Sequence, residues 1–300
     1  MFSNRTRSAF TRTELLAAIA IVCIIAAIVY PAVSRAREKA RAAECISNQR
    51  KVAQAEYQYV QDNDRGVPPT FRCEDGKERP PGNVCINLMT TRTWVHCLRP
   101  YVKSKWAFWC PDIEKDPYGQ WYGKRHAIFP DYQELPAFGY NYTYLTPENG
   151  NTVGTCLADA GYVDGVNVIP VKDREIEVPA QTVLFADVKY VGADADGGYV
   201  QGWGADPPTA QDACYWGGWG VGSPGDDPRQ HGVNTGTGII NPRHSGRVNV
   251  TFCDGHSQCL TPHQLAAGTN WYPGIANTSV AITDLSKFLW SLKKTGKSDL

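Results

Sequence analysis

From Leu15 to Val33 the chain runs nineteen residues without a charge, entered through Arg5, Arg7 and Arg12 and a single carboxylate, Glu14. At 1.5 Å per residue, a helix of that length crosses a hydrocarbon core of roughly 30 Å. A secretory signal would close on a small-residue cleavage site. Here Tyr30-Pro31-Ala32-Val33-Ser34-Arg35 passes straight into a charged helical pattern, so the segment reads as a retained anchor. A carboxylate at the mouth of a membrane helix is costly unless paired, and Glu14 therefore calls for a partner. Pro31 lacks the N–H that continues the helical ladder, and a bend is expected there. Basic residues flank both ends of the run, Arg35, Arg37, Lys39 and Arg41 lying after it, so loop charge alone does not orient the span.

Beyond the run, Ala36, Ala40, Ala43, Ile46, Ala53, Tyr57 and Val60 recur at helical spacing and predict one buried stripe. Arg37, Glu38, Arg41, Glu44, Arg50, Lys51 and Glu56 alternate in sign and read as the solvated face. Gly66 and Pro68-Pro69 stop the pattern after Asp62-Asn63-Asp64-Arg65. The whole is expected to be one helix of some fifty residues.

Thirty basic and thirty acidic residues balance, which leaves no global field to favour nucleic acid or acidic lipid. The basic helix carries no recognition motif, and no nucleic-acid partner is predicted. Ten cysteines, nine of them outside the apolar run, point to an oxidising compartment. Turn-rich loops separate Cys73 from Cys85 and Cys97 from Cys110, so local disulfides suit both. Cys156 and Cys214 are further candidates. No C-x-x-C occurs, and no structural zinc is expected. Asp112-x-Glu114-x-Asp116 and Asp194-x-Asp196 are acidic clusters of a kind that binds calcium, and neither has the closing Glu of an EF-hand loop. No other cofactor is expected. No G-x-S-x-G, Walker A or H-E-x-x-H motif is present, and the chain does not read as an enzyme.

Val183-Leu184-Phe185-Ala186-Asp187-Val188 reads as a buried strand. Val248, Val250 and Phe252 alternate with polar residues up to Asp254-Gly255, which predicts a hairpin with a two-residue turn. That register sets Cys253 opposite His256 and Val250 opposite Cys259, turns Cys259 toward the core and puts the two cysteines on opposite faces. Residues 192–238, rich in glycine and holding Trp203, Tyr215, Trp216 and Trp219, read as a long surface loop. Leu285, Phe288, Leu289 and Leu292 predict a final amphipathic helix. Asn141, Asn249 and Asn277 head glycosylation tripeptides of the kind that arise often by chance.

Ala9-Phe10-Thr11-Arg12-Thr13-Glu14-Leu15-Leu16 resembles the processing site of type IV prepilins and pseudopilins, with Ala9 where Gly is usual. The segments AREKARAAECISNQRKVAQAEYQYVQD, LRPYVKSKWAFWCPD, FGYNYTYL, TVLFADV and RHSGRVNVTFCDGH, in that order, look like pilin-like proteins with a C-terminal signature of His, nine residues and Asp-Gly. Here the signature is His244 through Asp254-Gly255. The resemblance implies cleavage between Ala9 and Phe10 by a prepilin peptidase and methylation of the new amine. Glu14 would then pair with the Phe10 amine of a neighbouring subunit, and Pro31 would mark the place where the helix melts on assembly. The tight turn explains Asp254 and Gly255 structurally, and His244 precedes the strand.

The reading is an α+β, type IV pilin-like, disulfide-stapled chain with a long N-terminal helix on an antiparallel sheet headgroup. Its parts are a leader (1–9), a membrane and filament-core helix (10–33), an amphipathic continuation (34–64) and a globular headgroup (65–300). The function it implies is that of a structural subunit of a type IV pilus-like or secretion-pseudopilus filament. Its partners would be copies of itself, the peptidase and inner-membrane assembly machinery. It would lie in a bacterial inner membrane as precursor and in an extracytoplasmic filament once assembled. The alternatives are a membrane-tethered binding protein that never polymerises, using the Gly/Trp loop, and a metal-dependent enzyme using His244 and Asp254.

Overall fold

A computed structural model of the 300-residue chain describes residues 12–69, 71–73, 83–84, 91–112, 136–146, 148–149, 166–168, 170–191, 199–200, 204–205, 207–208, 237–275 and 279–295. The chain divides into two compact units, Met1–Arg41 and Ala42–Leu300. The 51-residue helix α1, Arg12–Asp62, belongs to both.

From Leu15 to Val33 α1 is apolar on all sides, and its large side chains lie open, Leu16 at 66%, Ile28 at 69% and Tyr30 at 79% exposure. By length and composition it is able to cross a membrane. The helix runs on through Pro31 without interruption. Proline removes one ladder bond, and the turns on either side hold the helix together across it.

In the second unit the buried residues of α1 are Cys45, Asn48, Gln49, Val52, Ala53, Ala55, Glu56 and Val60. This corrects the stripe read from the sequence, since Tyr57 is 64% exposed and Glu56 is buried rather than solvated. The true stripe carries Cys, Asn, Gln and Glu, which a hydropathy pattern assigns to water. The helix stops as expected after Asp62, where Asp64 and Arg65 take left-handed backbone (φ 51° and 64°) and Arg65 N–H donates to Val60 O at 3.0 Å.

Three small strands, β1 (Phe71–Cys73), β2 (Asn83–Val84) and β3 (Thr91–Thr93), precede the short helix α2, Trp94–Leu98. The main sheet uses β4 (Phe138–Tyr140), then, after β5 (Glu148–Asn149) and β6 (Val166–Val168), β7 (Val183–Val191), β8 (Tyr199–Val200), β9 (Gly204–Ala205), β10 (Thr237–Ile240), β11 (Val248–Phe252) and β12 (Ser257–Leu260). Its order is β10-β9-β4-β7-β11-β12, with β8 also on β7. The α+β class holds, but the sheet is mixed rather than antiparallel, because β9 runs parallel to both β4 and β10. Residues 183–188 are all buried, as expected for a central strand covered on both faces. Gly139 is where the backbones crowd, since a Cβ there would lie 2.4 Å from the carbonyl of Gly204. Trp94 fills the core beside Phe185, Tyr140 and Phe108, at ring separations of 4.9, 5.6 and 6.0 Å.

The signature hairpin differs from its predicted register by one residue. Val250 pairs with Gln258 and Asn249 with Cys259. The connection is a three-residue loop, Cys253-Asp254-Gly255, with Gly255 left-handed (φ 86°) and its N–H bonded to Phe252 O at 2.8 Å. A type I turn followed by a left-handed glycine is the common three-residue hairpin. The slip places Cys259 across from Asn249, half-buried rather than in the core. The two-residue hairpin turn lies upstream at Ser245-Gly246, both with positive φ, where His244 and Arg247 exchange backbone bonds of 3.2 and 3.1 Å.

Two further expectations are corrected. The region 192–238 is not loop throughout, for it contains β8 and β9, and Ala205 is fully buried. Residues 284–294 form no helix. Val183 N–H donates to Leu289 O at 2.7 Å and Glu177 N–H to Leu292 O at 2.9 Å, so this segment lies along the core as a turn and an irregular run that buries Phe288, Trp290, Ser291 and Leu292. Among the described residues no disulfide occurs. Cys110 does not bond Cys97, and Cys45, Cys110, Cys253 and Cys259 all keep their thiols. Cys85, Cys156, Cys214 and the Cys73 side chain lie outside the described residues.

Candidate functional site

Four segments bring polar side chains to one buried place in the second unit. Helix α1 supplies Cys45 and Gln49, the segment after residues 105–108 supplies Cys110 and Asp112, β7 supplies Asp187, and the Ser245-Gly246 turn supplies His244. Cys45, Cys110 and Asp187 are fully buried, and His244 is 3% exposed.

Backbone anchoring explains why the segments converge. Asn48 Nδ2 donates to Trp109 O at 3.0 Å, which ties the Cys110 segment to the helix. Ala137 N–H donates to Phe108 O at 2.8 Å, and the Arg243 guanidinium donates to Ala137 O at 2.9 Å and also to Val188 O. Asn241 N–H donates to Asp187 O at 2.8 Å, seating the His244 turn on β7. Each donor or acceptor thus satisfied avoids the cost of a buried polar group left alone.

The side chains then meet. Cys110 Sγ lies 3.5 Å from His244 Nε2, and Cys45 Sγ lies 3.5 Å from Asp187 Oδ1. His244 Nε2 is 3.4 Å from Asp187 Oδ2, and its Nδ1 is 3.1 Å from Asp112 Oδ2. Asp187 accepts from Gln49 Nε2 at 3.0 Å and from Asn249 N–H at 2.9 Å. Gln49 is itself fixed by Thr251 Oγ1, which donates to Gln49 Oε1 at 2.9 Å. The ligating atoms of Cys45, Cys110 and His244 all lie within 4.8 Å of one another, a spacing that can hold a metal ion.

The electrostatics are those of a dry, charged cluster. Burial raises the Asp187 carboxyl to about 6, against the pull of the Arg243 guanidinium. The hydrogen bond from Cys45 favours the thiolate of Cys110 and lowers that thiol to about 4, with His244 and Arg243 adding to the effect. The same hydrogen bond, together with burial, raises Cys45. Burial alone would lower His244, but Cys110, Asp187 and Asp112 outweigh it and the imidazole is raised.

Of the residues singled out in the sequence, His244, Cys110 and Asp112 reach this cluster, Asp112 having been named there as part of a calcium candidate. Asp254 and Gly255 instead form the hairpin loop, where Asp254 pairs with His256. The carboxylates beside His244 are Asp187 and Asp112, so the alternative of a metal enzyme built on His244 with Asp254 has no shared site here. Cys45, Gln49 and Asp187 were not read as site residues. Asp187 stands out in the sequence as the one charge within the apolar run 183–188, whereas Cys45 and Gln49 lie in a helix stripe that is itself polar in part and carry no such signal. Glu14 lies in the first turn of α1, where a carboxylate favours the helix dipole. Ala9 and Phe10, the calcium candidates Glu114, Asp116, Asp194 and Asp196, and Trp203, Tyr215, Trp216, Trp219 and Asn277 lie outside the described residues. Asn141 and Asn249 are fully buried, and Asn141 Nδ2 donates to Val183 O and Trp290 O at 2.9 Å each, so neither is a glycan acceptor in the folded chain.

Comparison with known families, with characterised proteins and with solved structures finds no match to this chain.

Proposed function

We propose that this chain is a structural subunit of a type IV pilus-like or secretion-pseudopilus filament, assembled through the first half of α1. The observation that carries the reading is the apolar surface from Leu15 to Val33, open along its whole length, on a helix that continues into the folded unit beginning at Ala42. Such a surface requires lipid or other helices around it. A lipid-held precursor and a filament core satisfy that requirement in turn. In lipid the helices gain little from apolar burial alone, so packing and a buried charge pair would drive association. Glu14, at the opening of the helix, supplies the acidic half of that pair. The amine of Phe10 in a neighbouring subunit, freed by a prepilin peptidase, supplies the other. Leaving either charge unpaired among apolar helices costs several kcal/mol, which would fix the stagger between subunits.

The mass of the mature amino terminus tests the processing step. A chain beginning at a methylated Phe10 is the expected result. An intact Met1 in cells that hold the peptidase would overturn the filament reading in favour of a membrane-tethered, non-polymerising protein.

A further inference from the structure

We propose that Cys45, Cys110, His244 and Asp187 form a closed, four-coordinate site for a zinc-class divalent cation, with Asp112 orienting the histidine. The inference concerns the Ala42–Leu300 unit alone and does not depend on polymerisation.

The argument begins with shape. For metal–ligand bonds of about 2.0–2.3 Å in a tetrahedron, neighbouring donor atoms stand about 3.3–3.8 Å apart. The edge from Cys110 Sγ to His244 Nε2 has that length, 3.5 Å, and Asp187 flanks the group with one oxygen toward each side, Oδ2 at 3.4 Å from His244 Nε2 and Oδ1 at 3.5 Å from Cys45 Sγ, so that a rotation of the carboxylate would bring a single oxygen in as the fourth ligand. The remaining separations among Cys45, Cys110 and His244 stay within 4.8 Å. Two thiolates, an imidazole and a carboxylate form a donor set that suits zinc, and full burial makes the site structural rather than catalytic, with no position left for water.

The surroundings match what a ligated metal demands. A ligating histidine ordinarily gives its other ring N–H to a carboxylate, which fixes the tautomer and points the free nitrogen lone pair at the metal. Asp112 Oδ2, 3.1 Å from His244 Nδ1, occupies that place. The carboxylate ligand is held in turn by Gln49 Nε2 and Asn249 N–H. Charge is partly offset. Two thiolates and a carboxylate around a dication leave one negative charge, the Asp112 carboxylate adds a second, and Arg243, adjacent in the chain and acting electrostatically on both Asp187 and Cys110, offsets one of the two. A Cys45–Cys110 disulfide is the rival in an oxidising compartment. It would draw the sulfurs to about 2.05 Å and leave His244 and Asp187 facing each other in the core with nothing between them.

The site also gives α1 a covalent-strength tie to the sheet. Its ligands come from the helix, the Cys110 segment, β7 and the signature turn, so one ion would fasten four segments that no described disulfide joins.

The test uses the untagged full chain in detergent, purified without chelator from zinc-supplemented cells. Elemental analysis is expected to find one zinc per folded chain. Replacement by cobalt is expected to give the intense visible bands of a tetrahedral thiolate site. Cys45→Ser and Cys110→Ser should abolish the bound metal, whereas Cys253→Ser, outside the cluster, should keep it. Asp112→Asn should still load at excess zinc but hold the ion about 10–100-fold more weakly, as expected of a positioning residue. Folded wild-type chain without metal, or a mapped Cys45–Cys110 disulfide, would overturn the proposal. Because these readouts are taken on unassembled chain, failure of the metal site and failure of filament formation remain distinguishable.

Discussion

Replacing Glu56 by Gln is expected to change how stability depends on pH. Glu56 is 7% exposed on the inner face of α1, and burial, reinforced by the nearby charge of Asp173, raises its carboxyl from 4.5 to about 8. The folded chain therefore holds this proton over a range in which the unfolded chain has released it. The unfolded state binds fewer protons, so stability falls as pH rises through the window from 4.5 to about 8. At 1.36 kcal/mol per pKa unit the full effect approaches about 5 kcal/mol, and between about pH 5.5 and pH 7.5 it amounts to about 2–3 kcal/mol. Gln mimics the protonated acid and carries no such dependence. Urea unfolding of both full-length proteins in detergent across that interval measures the difference directly. The two should be nearly equal below about pH 4.5, and the advantage of Glu56→Gln should widen by about 2–3 kcal/mol from the acid to the alkaline end of the interval. A difference that does not change with pH would show that Glu56 is ionised in the folded chain and would refute the argument.

Steric crowding gives a sharper outcome at two glycines. Gly139→Ala would set a Cβ 2.4 Å from the Gly204 carbonyl and should part β4 from β9, read as a loss of soluble yield or a large fall in unfolding midpoint. Gly268→Ala adds a backbone cost to a clash, since φ is 80° and its Cβ would meet Asp284 O at 2.4 Å, so it should destabilise the chain strongly by the same assay.

How far the sequence could be read depended on whether pattern or tertiary partnership decided each element. The length and end of α1 followed from an uncharged run, a helical repeat and Gly66 with its prolines, all local signals. Strand β7 was legible because both its faces are covered and its residues are apolar almost throughout. The inner stripe of α1 was not, because it holds buried polar residues: Gln49, whose place is set by β7 and β11 far away in the chain, and Glu56, buried near Asp173. The hairpin was recognised but slipped by one, since Asp-Gly serves a two-residue turn and a three-residue loop equally well, and only the pairing of Val250 with Gln258 decides between them. The last apolar cluster is no helix because its backbone is taken by partners outside it, Leu289 O and Leu292 O accepting from Val183 and Glu177, which the helical spacing of Leu285, Phe288, Leu289 and Leu292 does not reveal. Cys45, Cys110, Asp187 and His244 come from four separate segments, and no ligand spacing in the sequence could have joined them.

Filament formation itself is the central claim, and electron microscopy of fibres sheared from cells making either the wild-type chain or Glu14→Ala tests it most directly. The account expects fibres that contain the wild-type chain, together with normal membrane insertion but greatly reduced fibre yield for Glu14→Ala. Equal fibre yield from the two would contradict the role given to Glu14, and wild-type cells without any fibre containing this chain would contradict the assembly reading as a whole.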